Sequence, residues 1–293
     1  MRKTFSLLAA LFLLLTPLGA TAAQVTASFF PIYLITLNLT DGLDDIQVHS
    51  LAAPQTGCLH DYQLSTGDLR VLDQSQLFLI CGAGMEAFLP VISSAFPDLP
   101  VADASQGLDL LPSMSGETEY NAHIWLDPLM ASRMAENLAE SLIRVLPEEE
   151  DGIRKNLKNY QDRLEKLDGE IREILKDAEG REIITFHEAF PYFARRYHLK
   201  VAAVIALEPD ESLSARALAD LIDLIRERGG IPLFTEPQYP SLSAEVVSAE
   251  SGAPLYALDP VVTPPEGELS LTYYEDTMLN NALVLSEALS DAP

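Results

Sequence analysis

Three of the five histidines and one aspartate of the chain could act together as metal ligands. These residues are His60, His123, His187 and Asp259. Imidazole nitrogen is a common ligand of Zn²⁺, and three imidazoles with one oxygen donor give four-coordination. Because the four residues are far apart in the sequence, a site that contains them all must draw on both halves of the chain. That arrangement is typical of an ion held between two lobes.

The sequence around His60 and His123 leaves other interpretations open. His60 lies in a loop, where placement favours function over packing, and the following Asp61 could orient its imidazole or simply be solvated. His123 precedes Trp125, and a single histidine before an aromatic residue is more often a packed residue than a ligand. We interpret Asp127 as the cap of a helix that begins at the following proline.

His187 and Asp259 each follow a predicted strand directly, and in open α/β sheets ligands bind at the carboxyl ends of the strands. Glu236 also ends a predicted strand and could be a hydrogen-bonding or lobe-closing group. As a direct ligand it ranks below Asp259. Glu188 follows His187 and could support its imidazole without contacting the metal. These four residues therefore form the second half of the candidate site.

The remaining histidines and the two cysteines have weaker claims on a metal. His49 and His198 are interpreted as ordinary surface or edge residues. Cys58 and Cys81 could form one disulfide in an exported protein or remain structural thiols. A thiolate ligand at Cys58, two residues before His60, is conceivable but ranks below both of these interpretations.

Apolar runs alternate with amphipathic helical patterns along the chain, which predicts βαβ units and a mostly parallel sheet. The strands are predicted at residues 25–29, 46–51, 77–80, 182–186, 201–205, 231–235 and 255–258. The shorter helices are predicted at residues 65–72, 85–96, 212–228, 242–251 and 273–289. The fold class is therefore α/β.

The clearest single element is a long helix from about Glu148 to Asp177. Its apolar residues recur every three or four positions as one narrow stripe, and Gly180 provides a C-terminal stop. A helix of about 30 residues spans about 45 Å, enough to run along the back of a whole molecule. A dimeric coiled coil is the alternative, but so short and isolated a stripe more often packs on its own protein.

The first residues are typical of a secretory signal peptide. Arg2 and Lys3 precede an apolar run from Phe5 to Leu15, and Ala20–Ala22 supplies a small-residue cleavage pattern. The run is too short for a confident membrane span, although an uncleaved anchor is the alternative. We therefore expect an exported, soluble protein that does not itself span the membrane.

The chain of 293 residues is strongly acidic, with a formal net charge of -25. Such a surface repels phosphate backbones and argues against a nucleic-acid partner. It could mildly concentrate cations, but the simpler interpretation is that it keeps the protein soluble.

Taken in order, the motifs resemble one known family, the ZnuA-like metal-binding proteins of bacterial ABC importers. The resemblance rests on His-Asp-Tyr at His60, His-Ile-Trp-Leu-Asp-Pro from His123, the segment Phe186–Phe193, Glu-Pro-Gln from Glu236, and the position of Asp259. Any one of these motifs is weak, whereas the whole ordered set behind a signal peptide is specific. It covers nearly all of the mature chain.

The resemblance implies two α/β lobes with mostly parallel sheets, joined by one long backbone helix, with the metal in the cleft between the lobes. The boundaries implied are a signal peptide at 1–23, lobes at 24–146 and 180–293, and the linking helix at 147–179. The protein is then a periplasmic, monomeric carrier without enzymatic activity, and it delivers its ion to a membrane permease driven by a separate ATPase.

Carried over residue by residue, the family pattern makes His60, His123 and His187 ligands. Asp259 matches an acidic position that ligates in many members and is replaced by water in some zinc-type ones. Zn²⁺ is the expected cargo, because three imidazoles suit Zn²⁺ better than Mn²⁺ and manganese-type members tend to have Glu where His187 stands. Other divalent transition metals are compatible with the same set of donors.

Two features depart from the family pattern. The segment Pro112–Ala122 is short and lacks histidine, whereas zinc-type members often carry a long His/Asp-rich loop there. Cys58 stands in the loop before His60, where a smaller or acidic residue is expected. An auxiliary metal-gathering loop is therefore not expected in this chain.

Three alternatives to a zinc carrier stay open at this point. The first is an exported zinc hydrolase with Glu188 or Glu236 as general base, although the sequence has no His-Glu-x-x-His helix. The second is a Mn²⁺-type carrier. The third is an adhesin-like or structural protein with an incidental metal.

Overall fold

A computed structural model describes residues 22–53, 59, 62–114, 118–205, 214–239 and 242–290. Within these residues, strands and helices alternate in two successive halves on either side of a long helix. The strands are β1 Ala23–Ala27, β2 Ile46–Ser50, β3 Leu77–Ile80, β4 Val101–Asp103, β5 Glu182–Thr185, β6 Lys200–Val204, β7 Leu233–Thr235 and β8 Leu255–Ala257. The α-helices are α1 Phe30–Leu39, α2 Thr66–Asp73, α3 Leu89–Ala95, α4 Pro128–Val145, α5 Glu150–Ile174, α6 Pro191–Arg196, α7 Ala215–Glu227, α8 Leu242–Ser251 and α9 Tyr273–Ser290.

The strands form two four-stranded sheets of the same topology. The first sheet has the order β2-β1-β3-β4 and the second has the order β6-β5-β7-β8. Every described strand pairing is parallel. Because parallel strands all end at the same edge of their sheet, each lobe gathers the segments that follow its strands at one edge. The prediction of an α/β fold with two mostly parallel sheets is confirmed.

Helix α5 is the backbone that joins the two sheets. The apolar stripe predicted from its sequence is buried from Ile153 to Ile171, and Ile174 at the end of the helix is partly buried. The stripe packs against α4, α1 and α9 of the same chain, so burial within one molecule explains it. The helix lies inside the predicted segment 147–179, while the domain boundaries as such remain a prediction.

The structure adds elements that the sequence patterns did not indicate. Strand β4 has three residues, of which one is buried, and α6 has six residues, so neither is long enough to show a clear period. The helix predicted over residues 85–96 begins only at Leu89, with a proline in its first turn, and it follows a turn in which Gly82 and Gly84 have positive φ. No helix in the described ranges is both long enough and apolar enough to cross a membrane.

Candidate metal centre

His123 is presented by a short, rigid connection at the start of α4. The residue is 2% exposed and is followed directly by a 3₁₀ turn, Ile124–Leu126. Asp127 then caps α4, because its carboxylate accepts hydrogen bonds from the amides of Leu129 and Met130. The predicted capping role of Asp127 is confirmed. Helix capping thus fixes the segment that carries His123.

His187 follows β5 at the carboxyl edge of the second sheet and meets His123 across the two halves of the molecule. The two Nε2 atoms lie 3.1 Å apart. The rings meet edge to face, with centroids 4.8 Å apart and planes at 76°. His187 is 1% exposed, so both imidazoles are removed from bulk water.

Glu236, at the end of the neighbouring strand β7, orients the ring of His187. Its Oε1 lies 2.5 Å from Nδ1 of His187, and its Oε2 accepts a 2.8 Å hydrogen bond from the Gln238 side chain. A carboxylate can only accept here, so Nδ1 carries a proton, and in the neutral ring Nε2 is then the nitrogen that keeps its lone pair. Glu236 therefore stands where a carboxylate turns an imidazole into an oriented metal donor.

Asn121 plays the matching part for His123, and the sequence reasoning did not identify it. Its Oδ1 accepts a 2.9 Å hydrogen bond from the His123 amide and lies 3.2 Å from Nδ1 of the same residue. Its Nδ2 donates a 2.8 Å hydrogen bond to the Glu188 carbonyl. The only signal in the sequence was an amide two residues before a candidate ligand.

The Glu188 carboxylate faces the segment before His123. It accepts a 2.7 Å hydrogen bond from the amide of Met114 and a 3.2 Å hydrogen bond from the hydroxyl of Ser113. These contacts join the segment that follows β5 to the connection that leads to His123. The described contacts of Glu188 therefore fasten a loop and do not support an imidazole.

Asp259 follows β8, next in the sheet to the strand that ends at Glu236. Its Oδ1 accepts a 2.8 Å hydrogen bond from the Val261 amide, and Tyr273 donates to its Oδ2 at 3.4 Å. Burial raises the pKa of Asp259 above its ordinary value, and the nearby charge of Glu236 raises it further, against the effect of these two hydrogen bonds. The Asp259 carboxylate is thus partly buried and close to Glu236, the acid that contacts His187.

Part of the predicted ligand set lies outside the described residues. His60, Asp61 and Cys58 belong to that part of the chain, so the loop that carries them is not described. Among the residues that the structure does describe, no three His, Cys, Asp or Glu side chains form a group that could hold a metal. Of the three predicted ligands that are described, the structure thus brings together His123 and His187, and Asp259 does not complete such a group with them.

The other two histidines stay away from this pair. His49 lies in β2, opposite Thr26 of β1. His198 is exposed in the turn after α6 and has a φ of 57°. Both positions agree with the interpretation of these residues as ordinary surface or edge histidines.

Comparison with known proteins assigns the chain to a family. The family model for the zinc-uptake complex component A, periplasmic (ZnuA), matches residues 25–288. The chain belongs to this family. The expectation drawn from the sequence motifs is therefore confirmed at the level of the family.

Individual relatives of this ZnuA family member are distant in sequence but similar over their whole length. The chain is 27% identical to the high-affinity zinc uptake system protein ZnuA of Bacillus subtilis (strain 168), over 91% of this chain and 87% of that protein. It is 26% identical to the ZnuA of Yersinia pestis, over 87% and 88% of the two chains. A crystal structure of a ZnuA deletion mutant with zinc bound is 28% identical, has a TM-score of 0.80, and is matched over 93% of this chain and all of that one (100%).

Proposed function

We propose that this ZnuA family member captures Zn²⁺ between its two lobes with His123 and His187, and that His60 and either Asp259 or a water complete the site. The proposal includes export to the periplasm and delivery of the ion to a membrane permease with its own ATPase. Membership of a periplasmic zinc-uptake family supports the cargo and the compartment.

The observation that carries the proposal is the convergence of two Nε2 lone pairs. The two atoms lie 3.1 Å apart, while each Nδ1 faces an acceptor, Glu236 for His187 and Asn121 for His123. When both rings are neutral and carry their protons on Nδ1, the two Nε2 lone pairs face each other, an arrangement that a cation between them would stabilise. Zn–N bonds of about 2.0–2.1 Å at a tetrahedral angle hold two nitrogens about 3.3 Å apart, close to the observed spacing.

The donor types favour zinc over manganese. Imidazole nitrogen suits Zn²⁺, whereas carboxylate and water oxygens suit Mn²⁺ better. The two candidate donors that the structure brings together are imidazoles, and the carboxylate of Glu236 binds Nδ1 of His187. We therefore place Zn²⁺ ahead of Mn²⁺ as the cargo.

Binding without catalysis is the better account of the carboxylates near the pair. Glu188 and Glu236 were the candidate general bases for a hydrolase. Both oxygens of Glu236 are engaged by His187 and Gln238, and both oxygens of Glu188 accept hydrogen bonds from Met114 and Ser113. Both carboxylates thus already serve as acceptors that hold the site together, so their positions are accounted for without a general-base role.

The test is zinc binding by the mature chain, followed by chelator competition. We expect about one zinc per molecule for the wild type and a loss of affinity of about a thousandfold or more for His123→Ala or His187→Ala. Zinc should also raise the melting temperature of the metal-stripped wild type, because a ligand that binds only the folded state stabilises it.

His198→Ala is the matched control, because it removes an imidazole that is exposed and distant from the pair. Its zinc affinity should equal that of the wild type. If the metal-stripped wild type shows neither stoichiometric zinc uptake nor a shift in melting temperature, the proposed function is wrong.

A further inference from the structure

Asn121 lies between the two segments that carry the described histidines, and it is 3% exposed. We propose that Asn121 is a positioning residue of the metal site, whose amide oxygen sets the tautomer of His123 and whose amide nitrogen ties this segment to the one that bears His187. The inference rests on the proposed zinc site and adds a residue that does not contact the metal.

The orientation of the amide follows from its neighbours. Oδ1 accepts a 2.9 Å hydrogen bond from the His123 amide, a group that can only donate. Nδ2 lies 2.8 Å from the Glu188 carbonyl oxygen, a group that can only accept. A flipped amide would set donor against donor and acceptor against acceptor, so the assignment of oxygen and nitrogen is determined.

This orientation decides which nitrogen of His123 can bind a metal. Oδ1 of Asn121 also lies 3.2 Å from Nδ1 of His123, so Nδ1 carries the proton that this oxygen accepts. Nε2 then keeps its lone pair, and it is this atom that faces Nε2 of His187. Without an acceptor at Nδ1, the neutral ring could place its proton on Nε2 and lose its donor.

The other end of the amide joins the two halves of the pair. The Glu188 carbonyl that accepts from Nδ2 belongs to the residue after His187. Tyr192, in the helix that follows, donates a 2.8 Å hydrogen bond to the Asn121 carbonyl and accepts one from the Leu111 amide. Hydrogen bonds between protein groups therefore fasten the segment before His123 to the segment after His187.

The two supporting residues differ in charge, which makes their contributions separable. Glu236 brings a carboxylate to His187, whereas Asn121 brings a neutral amide to His123. Asn121→Asp keeps an acceptor for Nδ1 but replaces the donor with an oxygen that faces the Glu188 carbonyl. Asn121→Ala removes the acceptor and the donor together. Comparing the two variants therefore separates the effect on the His123 tautomer from the effect of losing the hydrogen bond to the Glu188 carbonyl.

The experiment measures the protonation of His123 directly and the zinc affinity beside it. Long-range ¹H–¹⁵N correlation spectra of the full mature chain, with and without zinc, show which ring nitrogen carries the proton. In the wild type we expect the proton on Nδ1. In Asn121→Ala we expect zinc affinity to fall about 10–100-fold, the usual range when the partner of a ligating histidine is removed. Asn121→Asp should keep the proton on Nδ1 and bind zinc better than Asn121→Ala.

Asn137→Ala is the matched control, because the side-chain amide of Asn137, like that of Asn121, donates to main-chain carbonyls. Its acceptors are the carbonyls of Ala104 and Gln106, away from either imidazole. Its zinc affinity should stay at the wild-type value. The inference fails if Asn121→Ala binds zinc as well as Asn137→Ala does, or if the wild-type His123 carries its proton on Nε2. The second result needs no variant, so it stands even if Asn121→Ala does not fold. Failure of the wild type to bind zinc at all would instead overturn the proposed function.

Discussion

The two sheets have the same strand order, but the corner where the two central strands end has a different role in each lobe. In the first sheet, the carboxyl ends of β1 and β3 surround the buried carboxylate of Glu86. In the second sheet, the ends of β5 and β7 bring His187 and Glu236 together. One corner is closed by structural hydrogen bonds, and the other presents a candidate metal donor.

The hydrogen bonds between strands show how closely the two corners correspond. The Ser28 amide donates to the Leu79 carbonyl in the first sheet, as the Phe186 amide donates to the Phe234 carbonyl in the second. The next residue in each case is Phe29 or His187. Matched backbone positions thus carry an apolar ring in one lobe and a candidate ligand in the other.

The surroundings of Glu86 explain why its corner is structural. The residue is 5% exposed and accepts hydrogen bonds from the Cys81 and Gly82 amides and from the Ser28 hydroxyl. These donors are two main-chain amides and one hydroxyl, and none of them is an imidazole. Burial raises the pKa of Glu86 to about 7, although the three hydrogen bonds oppose the shift.

A carboxylate beside the strand ends is common to both lobes. The comparison therefore teaches that a buried glutamate supports a candidate metal ligand only when its hydrogen-bond partner is an imidazole. Glu86 and Glu236 are both buried acids beside parallel strand ends. Glu236 holds an imidazole, whose second nitrogen is left to face the cleft. Glu86 instead accepts hydrogen bonds from main-chain amides and a hydroxyl, and none of these groups is a candidate metal ligand. Stability should therefore depend more on Glu86, and zinc affinity more on Glu236.

The largest effect is expected when the structural corner is broken. Glu86→Ala leaves two main-chain amides and one hydroxyl without their buried acceptor, and each such group costs about 1–3 kcal/mol. We expect the free energy of unfolding to fall by about 3–5 kcal/mol in urea titrations. At temperatures where the variant is folded, its zinc affinity should lie within a few-fold of the wild type. A loss of zinc affinity comparable to that of the histidine variants would contradict the comparison.

The pH dependence of stability offers a second and somewhat smaller test of the same corner. Because the pKa of Glu86 is raised from 4.5 to about 7, the folded state holds its proton more tightly than the unfolded chain. Its stabilising contribution is complete below about pH 4.5 and is lost as the pH rises through about 7. We expect the free energy of unfolding of the wild type, minus that of Glu86→Gln, to fall by about 3 kcal/mol over this range.

Subtracting the Glu86→Gln profile removes the titration of the other acidic residues, which both proteins share. Urea titrations of the metal-stripped proteins at intervals from pH 4 to pH 8 supply both curves. A difference that stays flat or rises with pH would show that Glu86 is not the group responsible.

Substitution of Glu236, in the corner of the second sheet, should lower the zinc affinity. Glu236→Leu removes the acceptor of the His187 Nδ1 proton, and we expect zinc to bind about 10–100-fold more weakly, by chelator competition. Glu236→Gln keeps an acceptor in the same place and should lose less. Equal losses in Glu236→Leu and Glu86→Leu would remove the distinction between the two corners.

The sequence suggested candidate site residues where a general rule applies. His187 and Asp259 were found because they come directly after apolar strand patterns, and ligands gather at such ends. Glu236 was recognised by the same rule, although its partner could not be named. Which imidazole a carboxylate contacts depends on the packing of β7 beside β5, a contact between segments about 50 residues apart.

Asn121 and Glu86 could not be recognised by that rule. Asn121 lies in an irregular connection, and its role depends on contacts across the lobes with Glu188 and Tyr192. Glu86 follows a glycine turn in a segment that was interpreted as the start of a helix. Local patterns predict regular elements, but they do not show where a side chain in a turn is directed.

The smallest effect is expected at the third strand end of the second sheet. Tyr273 donates to Oδ2 of Asp259 across 3.4 Å and to the Thr263 carbonyl across 3.1 Å, so its bond to the carboxylate is the longer and weaker one. We expect Tyr273→Phe to change zinc affinity by less than about threefold, a difference of about 0.6 kcal/mol, in the same chelator competition. A loss of tenfold or more would show that zinc binding depends on a precisely held Asp259. Asp259 would then contribute to zinc binding in the same way as Glu236 and His187, the other residues that follow strands of this sheet.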